Sequence, residues 1–288
     1  MNKIYDLTGL VALVTGGGTG IGLMISQGFA ANGAKVYITG RRKEVLDKVA
    51  SASNGTIISL SMDVTDKSSI LKARNFIAEK EGRLHILVNN AGQVGPVSRF
   101  LNDNSAPERK DASTLGQALF DNESFDSWAD LYKINTFSIF FVTTAFLGLL
   151  DNGSREKEGY TSSVINITSI SGITKLAQRH FCYNSAKSAA SHLTKMLATE
   201  LALKGIHVRV NAIAPGVYES ELTSASIPSG EMVDKIGNGI QPVPAGRAGT
   251  AQEMAGTALY LASSAGCYAN GQEIVIDGGY LTVNPSTR

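Results

Sequence analysis

The stretch TGGGTGIG, residues 15–22, follows an apolar, β-branched run, LVALV at 10–14, and leads into a helical pattern over 21–32. Strand, glycine-rich turn and helix in that order are what a phosphate-binding crossover needs. Glycines let the backbone approach a pyrophosphate. The start of the helix adds free N–H groups and the positive end of a dipole. Gly16, Thr19, Gly20, Ile21 and Gly22 are the candidate contacts. The spacing Gly16-x3-Gly20-x-Gly22 is not the commoner G-x-G-x-x-G, and a plain tight turn is the alternative reading.

The rest of the chain repeats the alternation. Strand-like runs fall at 35–39, 56–64, 85–92, 162–169, 207–216 and 271–279. Helical patterns fall at 42–53, 68–81, 125–150, 182–204 and 251–263, the one at 125–150 reading as a single long buried helix. Strands apolar on both faces and alternating with helices predict an α/β fold. Its core would be a doubly wound parallel sheet of about seven strands flanked by helices. The reading is one domain over 1–288, with a cofactor half at roughly 8–150 and a catalytic and substrate half at roughly 160–288. Ligands of such sheets bind beyond the carboxyl ends of the strands. Two segments read as irregular, 93–124 and 218–246. In the second, spaced apolar residues (Ile227, Met232, Ile236, Ile240) suggest a lid over a fairly hydrophobic substrate.

Composition narrows the function. Hydrophobic residues make up 43% and charged residues 18%, as in ordinary globular proteins. A net charge of +1 leaves no electrostatic footprint for nucleic acid or an anionic membrane. Two cysteines, Cys182 and Cys267, suit free thiols in a reducing compartment. MNKIYDLTGL at the start is too polar for a signal peptide. The longest apolar run, FSIFFVTTAFLGLL, is too short to span a bilayer, so a cytoplasmic protein is expected. None of the four histidines has a second set of ligands nearby in sequence, and no metal site is expected.

The end of the second strand selects the cofactor. An NAD site expects Asp or Glu there to hold the ribose 2′-hydroxyl. This chain has Thr39, Gly40, Arg41 and Arg42. Two guanidiniums suit a 2′-phosphate, so NADP is favoured over NAD. The alternative is two solvated arginines, although cations near a helix start are mildly unfavourable.

YNSAK, at 183–187, places Tyr183 and Lys187 four residues apart, on one face if the segment is helical. A chain with 9 Tyr carries such a pair by chance about as often as not, so the motif gains meaning only from its company. That company identifies a resemblance to the short-chain dehydrogenase/reductase family over nearly the whole chain. It is carried by residues 15–22, Asp63-Val64, Asn89-Asn90-Ala91-Gly92, Asn135, Ser169, Tyr183-x3-Lys187, Pro215-Gly216 and Asp277-Gly278-Gly279. IGLMISQGF, SVINITSISGI, NAIAPG and AGRAGTAQEMA are similar to 3-oxoacyl reductases of the rhamnolipid-biosynthesis kind. Two features depart from the family pattern: the longer 93–124 segment, and Ser220 where Thr is frequent.

The resemblance implies a Rossmann-like fold and an NADP-dependent oxidoreductase acting on a small-molecule ketone or alcohol, as a homo-dimer or homo-tetramer. Tyr183 would protonate the alkoxide left by hydride transfer. Lys187 would lower the Tyr183 pKa, aided by the cationic nicotinamide, and would bind the nicotinamide ribose. Ser169 would hydrogen-bond the carbonyl, and Asn135 would hold a relay water. Asp63 and Val64 would meet the adenine, and Asn90, with Ala91 and Gly92, the adenosine ribose. Pro215, Gly216, Tyr218 and Ser220 would hold the carboxamide side.

Plainer readings stay open: Tyr183 as a core residue, Asn135 as a partner for buried backbone, Ser169 as a turn residue. Thr168 and Ser171 are alternatives to Ser169, since the Ser169-to-Tyr183 spacing exceeds that of many family members by one and the loop between is free to bulge. Three functions follow: an NADPH-dependent carbonyl reductase, an alcohol dehydrogenase run oxidatively, or a cofactor-binding cyclase or scaffold without redox turnover. Intact Ser169, Tyr183 and Lys187 argue against the last.

Overall fold

The computed structural model describes residues 4–218 and 239–286. An interior strand of its sheet, β1 (Val11–Thr15), is buried at every position, as a strand covered on both faces must be. It pairs in parallel with β2 (Lys35–Gly40) and β4 (Ile86–Asn89). With β3 (Ile57–Ser61), β5 (Ser162–Ile167), β6 (Val208–Pro215) and β7 (Glu273–Ile276), the sheet has seven strands in the order β3-β2-β1-β4-β5-β6-β7. Every pairing is parallel. The doubly wound α/β fold is therefore the one the sequence predicts. The strand order reverses between β1 and β4, which opens a crevice at their carboxyl ends.

Successive side chains of β1 point to opposite faces. Val14, with Val36 and Ile38 of β2, packs under α1 (Gly20–Ala31) and α8 (Ala251–Ala262) through Ile25, Phe29, Met254 and Leu261. Leu13, with Leu87 and Val164, packs under three other helices: α3 (Lys67–Glu81), α6 (Ser138–Glu156) and α7 (Phe181–Leu203). Each face is thus a separate apolar layer, and the site sits at one end of both. α2 (Lys43–Ser51) and α9 (Tyr280–Val283) complete the framework around the cofactor half and the carboxyl-terminal end.

Two expectations are corrected. The segment 93–124 is not wholly irregular. It holds two short 3₁₀ turns, at Arg99–Asn102 and Pro107–Arg109, and α4 (Ala112–Asn122), capped by Asp111 accepting from Thr114 N. α4 fully buries no residue; its apolar stripe, Leu115, Ala118 and Leu119, is short and only half-buried. The helix expected over 125–150 is α5 (Phe125–Tyr132), a π-helical turn (Lys133–Phe137) and α6 in succession. Its first residue, Phe125, is 96% exposed rather than buried. By length and composition this whole path, Phe125–Glu156, could cross a membrane, at a mean hydropathy of 1.5 over its most apolar window. Half of that window is buried within the fold. Most of the lid expected at 218–246, with Ile227, Met232 and Ile236, lies outside the described residues, as does Ser220.

Candidate active site

Thr15, the last residue of β1, ties the glycine turn to β4. Its Oγ1 accepts from the backbone N–H of Asn90 and Ala91 at 2.9 and 3.0 Å. Asn90 returns the contact, Nδ2 donating to Thr15 O and Gly16 O at 2.9 and 3.1 Å. The turn is folded too tightly for side chains. A Cβ on Gly22 would stand 2.3 Å from Gly16 O, and one on Gly16, at φ +63°, would stand 2.9 Å from Asn90 Nδ2. α1 then begins with no side-chain cap at Thr19 and no acidic residue in its first turn, which leaves its positive end to an anion.

Gly16, Thr19, Gly20 and Ile21 line a cleft of about 390 Å³ that crosses the carboxyl ends of β1 to β6. Gly22 lies beneath it, buried. Arg41 and Arg42 stand at the rim beyond β2. Asp63 and Val64 follow β3, and the Asp63 carboxylate already accepts from Thr65 N at 2.9 Å. Asn90, Ala91 and Gly92 form the wall after β4. Pro215, Gly216 and Tyr218 close the far end. The unfilled glycine cradle, the open helix start and the two guanidiniums at the rim fit a dinucleotide carrying a phosphate on its adenosine ribose.

Ser169, Tyr183 and Lys187 share this cleft. The Ser169 hydroxyl, which accepts from Ser171 N at 3.1 Å, lies near enough to Tyr183 to favour its phenolate. Of the two alternatives to Ser169, Thr168 turns away to Glu273 Oε1 at 2.7 Å, and Ser171 Oγ donates to Gln178 Oε1 at 3.0 Å. Lys187, 5% exposed, donates through Nζ to Ile167 O at 2.7 Å and lies 5.8 Å from the Tyr183 ring centroid. Burial brings its ammonium down to about 8. Burial also raises the Tyr183 phenol, with the Ser169 hydroxyl pulling the other way. The sequence expectation was a lowered Tyr183. That expectation included the cationic nicotinamide; in the chain by itself the cost of desolvating a phenolate is the largest effect.

Asn135 lies in the π-helical turn, not on the cleft wall. It commits its amide to one residue: Nδ2 donates to Gln93 O at 2.8 Å and Oδ1 accepts from Gln93 N at 2.9 Å. It therefore holds the backbone that follows Gly92. The neighbouring Thr136 Oγ1 donates to Ala186 O at 2.9 Å, joining the same turn to α7 beside Lys187.

The long Ser169-to-Tyr183 loop bulges as two consecutive left-handed residues, Gln178 (φ +52°) and Arg179 (φ +72°). This conformation is strained for residues with a Cβ and must be held in place. Ser98 N donates to Arg179 O at 2.9 Å, and Gln178 Nε2 donates to Tyr280 OH at 2.8 Å. Sequence reading missed both clamps. It also missed Gly172, where a Cβ would stand 2.7 Å from the Lys187 carbonyl carbon. The glycine in SISG was the available signal.

A parallel sheet with a glycine-turn cleft and a Ser–Tyr–Lys group at its far end defines a nucleotide-binding oxidoreductase. The family model described as enoyl-(acyl carrier protein) reductase matches residues 16–281. The short-chain dehydrogenase/reductase PhomF of Diaporthe leptostromiformis is 40% identical over 290 residues, 99% of this chain and 95% of that protein. The rhamnolipids biosynthesis 3-oxoacyl-[acyl-carrier-protein] reductase of Pseudomonas aeruginosa is 33% identical, over 97% of this chain and 99% of that protein. The solved Pseudomonas aeruginosa RhlG/NADP active-site complex superposes with a TM-score of 0.81 at 32% identity, covering 97% of this chain and 99% of that one. The chain belongs to the short-chain dehydrogenase/reductase family of oxidoreductases.

Proposed function

We propose that the protein is an NADPH-dependent carbonyl reductase acting on a ketone of the 3-oxoacyl or secondary-metabolite type. The observation that carries this is the placing of Arg41 and Arg42 at one end of a single cleft and of Ser169, Tyr183 and Lys187 at the other. The reductase and NADP complex among the relatives support the same choice. NADPH, when bound, supplies the hydride. Gly16, Gly20 and the start of α1 hold its pyrophosphate, Arg41 and Arg42 its 2′-phosphate, Asp63 and Val64 its adenine. Pro215 and Gly216 hold its carboxamide.

The remaining chemistry belongs to the chain. The hydroxyls of Ser169 and Tyr183 line the same cleft, and a carbonyl oxygen placed between them accepts from both. As that oxygen gains charge, Tyr183 gives it a proton and becomes phenolate. The Lys187 ammonium, fixed by Ile167 O, stabilises the phenolate. Water that reaches the cleft beside Lys187 returns the proton.

The test is loss of NADPH absorbance across 3-oxoacyl thioesters, β-keto esters, cyclic ketones and quinones, with NADH in parallel. Arg41 has no carboxylate partner among the described residues, and charged hydrogen bonds are worth about 1.5–3 kcal/mol. Arg41→Ala is therefore expected to raise the KM for NADPH roughly 10- to 100-fold and to leave the KM for NADH within about threefold. Equal effects on both would remove the 2′-phosphate reading.

Self-association is part of the same proposal. Phe137, Phe140 and Phe141 fall on one stripe at the start of α6 and are 46%, 44% and 38% exposed. Phe140→Glu is expected to reduce the mass measured by light scattering to that of one chain. An unchanged mass would exclude this face.

A further inference from the structure

Glu273 lies on the edge strand β7, outside the cleft, yet its carboxylate touches both elements that carry the catalytic group. Oε1 accepts from Thr168 Oγ1 at 2.7 Å, and Oε2 accepts from Ser191 Oγ at 2.6 Å. Thr168 directly precedes Ser169. Ser191 is one turn beyond Lys187 on α7, on the same face. One side chain from a third element thus bridges the strand end that presents Ser169 and the helix that presents Tyr183 and Lys187.

Two more directed bonds run along this seam. Lys187 Nζ donates to Ile167 O at 2.7 Å, and Asn166 Nδ2 donates to Thr194 Oγ1 at 2.9 Å. Lys187, Ser191 and Thr194 follow at helical spacing, so successive turns of α7 are pinned to the end of β5. Apolar packing is non-directional and tolerates sliding; buried polar bonds fix a register. Thr168 is 2% exposed and Ser191 9%, so water is a poor substitute for the carboxylate.

We propose that Glu273 is a positioning residue that sets the register of α7 against β5, and so brings Tyr183 to Ser169. The proposal rests on the reductase reading. Displacement of a reacting group by about 1 Å costs about a hundredfold in rate, so a distant clamp of this kind is felt at the site. The Gly172 contact with the α7 backbone makes the same seam intolerant of a slide.

In place of Glu273, glutamine fits where alanine does not. The glutamine carbonyl accepts from Ser191, and the glutamine amide donates to Thr168 Oγ1. The Thr168 proton then turns to Ile213 O, 3.0 Å away. The experiment compares wild type, Glu273→Ala, Glu273→Gln and Ser191→Ala. It reads kcat with the ketone the wild type reduces, the Kd for NADPH by fluorescence, and amide hydrogen exchange of α7 in the protein alone.

Glu273→Ala is expected to lower kcat about 10- to 100-fold with the NADPH Kd within about threefold. Glu273→Gln is expected to stay within about threefold of wild type, and Ser191→Ala to lose little more when combined with Glu273→Ala. Exchange around 187–194 should accelerate in Glu273→Ala and not in Glu273→Gln. A kcat within twofold in Glu273→Ala overturns the proposal, as does a parallel loss of kcat, NADPH affinity and folded fraction. A wild type that reduces no ketone defeats the reductase reading instead. The exchange data then decide the register alone, and unchanged exchange in Glu273→Ala overturns it.

Discussion

Tyr183→Phe is expected to lower kcat by about a thousandfold while the NADPH Kd stays within about threefold, because general acid catalysis by one group contributes about 10²–10⁴. The ring remains, so the packing of the α7 start against Trp128, Tyr132 and Leu131 is kept. Only the hydroxyl is lost, and a single side-chain hydrogen bond contributes about 1 kcal/mol of net stability. That cost is too small to unfold the protein, so a collapse of turnover reads the chemistry rather than the fold. Stopped-flow NADPH oxidation and a fluorescence titration on the same preparation separate the two. Turnover within tenfold of wild type would remove Tyr183 as the proton donor. In that event Ser169, the other hydroxyl in the cleft, would be the group to replace next.

The sheet was legible because strands covered on both faces need mostly apolar runs, such as LVALV at 10–14 and ILV at 86–88, set between helix-length segments. The glycine turn was legible because Gly16 and Gly22 each face an atom where a Cβ would go. Tyr183 and Lys187 were legible as a pair four apart in a helix. What escaped was of three physical kinds. α4 presents only a short half-buried stripe, Leu115, Ala118 and Leu119, inside a polar segment rich in Asn, Asp and Ser that reads as loop. The π-helical turn at Lys133–Phe137 depends on tertiary bonds, from Asn135 to Gln93 and from Thr136 to Ala186, which no local pattern encodes. Glu273 reads as the polar residue of an edge strand until Thr168 and Ser191, 105 and 82 residues away, are seen at its oxygens. The raised Tyr183 phenol of the chain without cofactor was hidden for a related reason, since burial is a property of the assembled fold and Lys187 is visible locally.

Lys187→Met is expected to abolish turnover and to raise thermal stability at pH 7, two opposite effects from one change. The ordinary lysine value of 10.5 falls to about 8 on burial, so folding works against the charged form. Below about pH 8 the native ammonium is still protonated and the whole cost is present. Between about 8 and 10.5 the unfolded chain keeps a proton that the native chain has shed, and stability gains as pH rises through that window. At about 1.4 kcal/mol per unit, the cost at pH 7 is roughly 3 kcal/mol. Losing the charged bond to Ile167 O takes back about 1.5–3 kcal/mol. Methionine fills the same unbranched space. A net gain of up to about 1.5 kcal/mol corresponds to a Tm higher by up to roughly 5 °C for a chain of this size. Calorimetry at pH 7 and pH 10 checks the sign: the advantage over wild type should shrink at the higher pH, where the wild-type amine is neutral in the native state. A variant less stable than wild type at pH 7 would mean that the bond to Ile167 O outweighs the desolvation of the charge. Lys187 would then be held for the fold as much as for the phenolate. A more stable, inactive variant would mark a buried charge that the fold carries at a cost, for the sake of the proton transfer beside it.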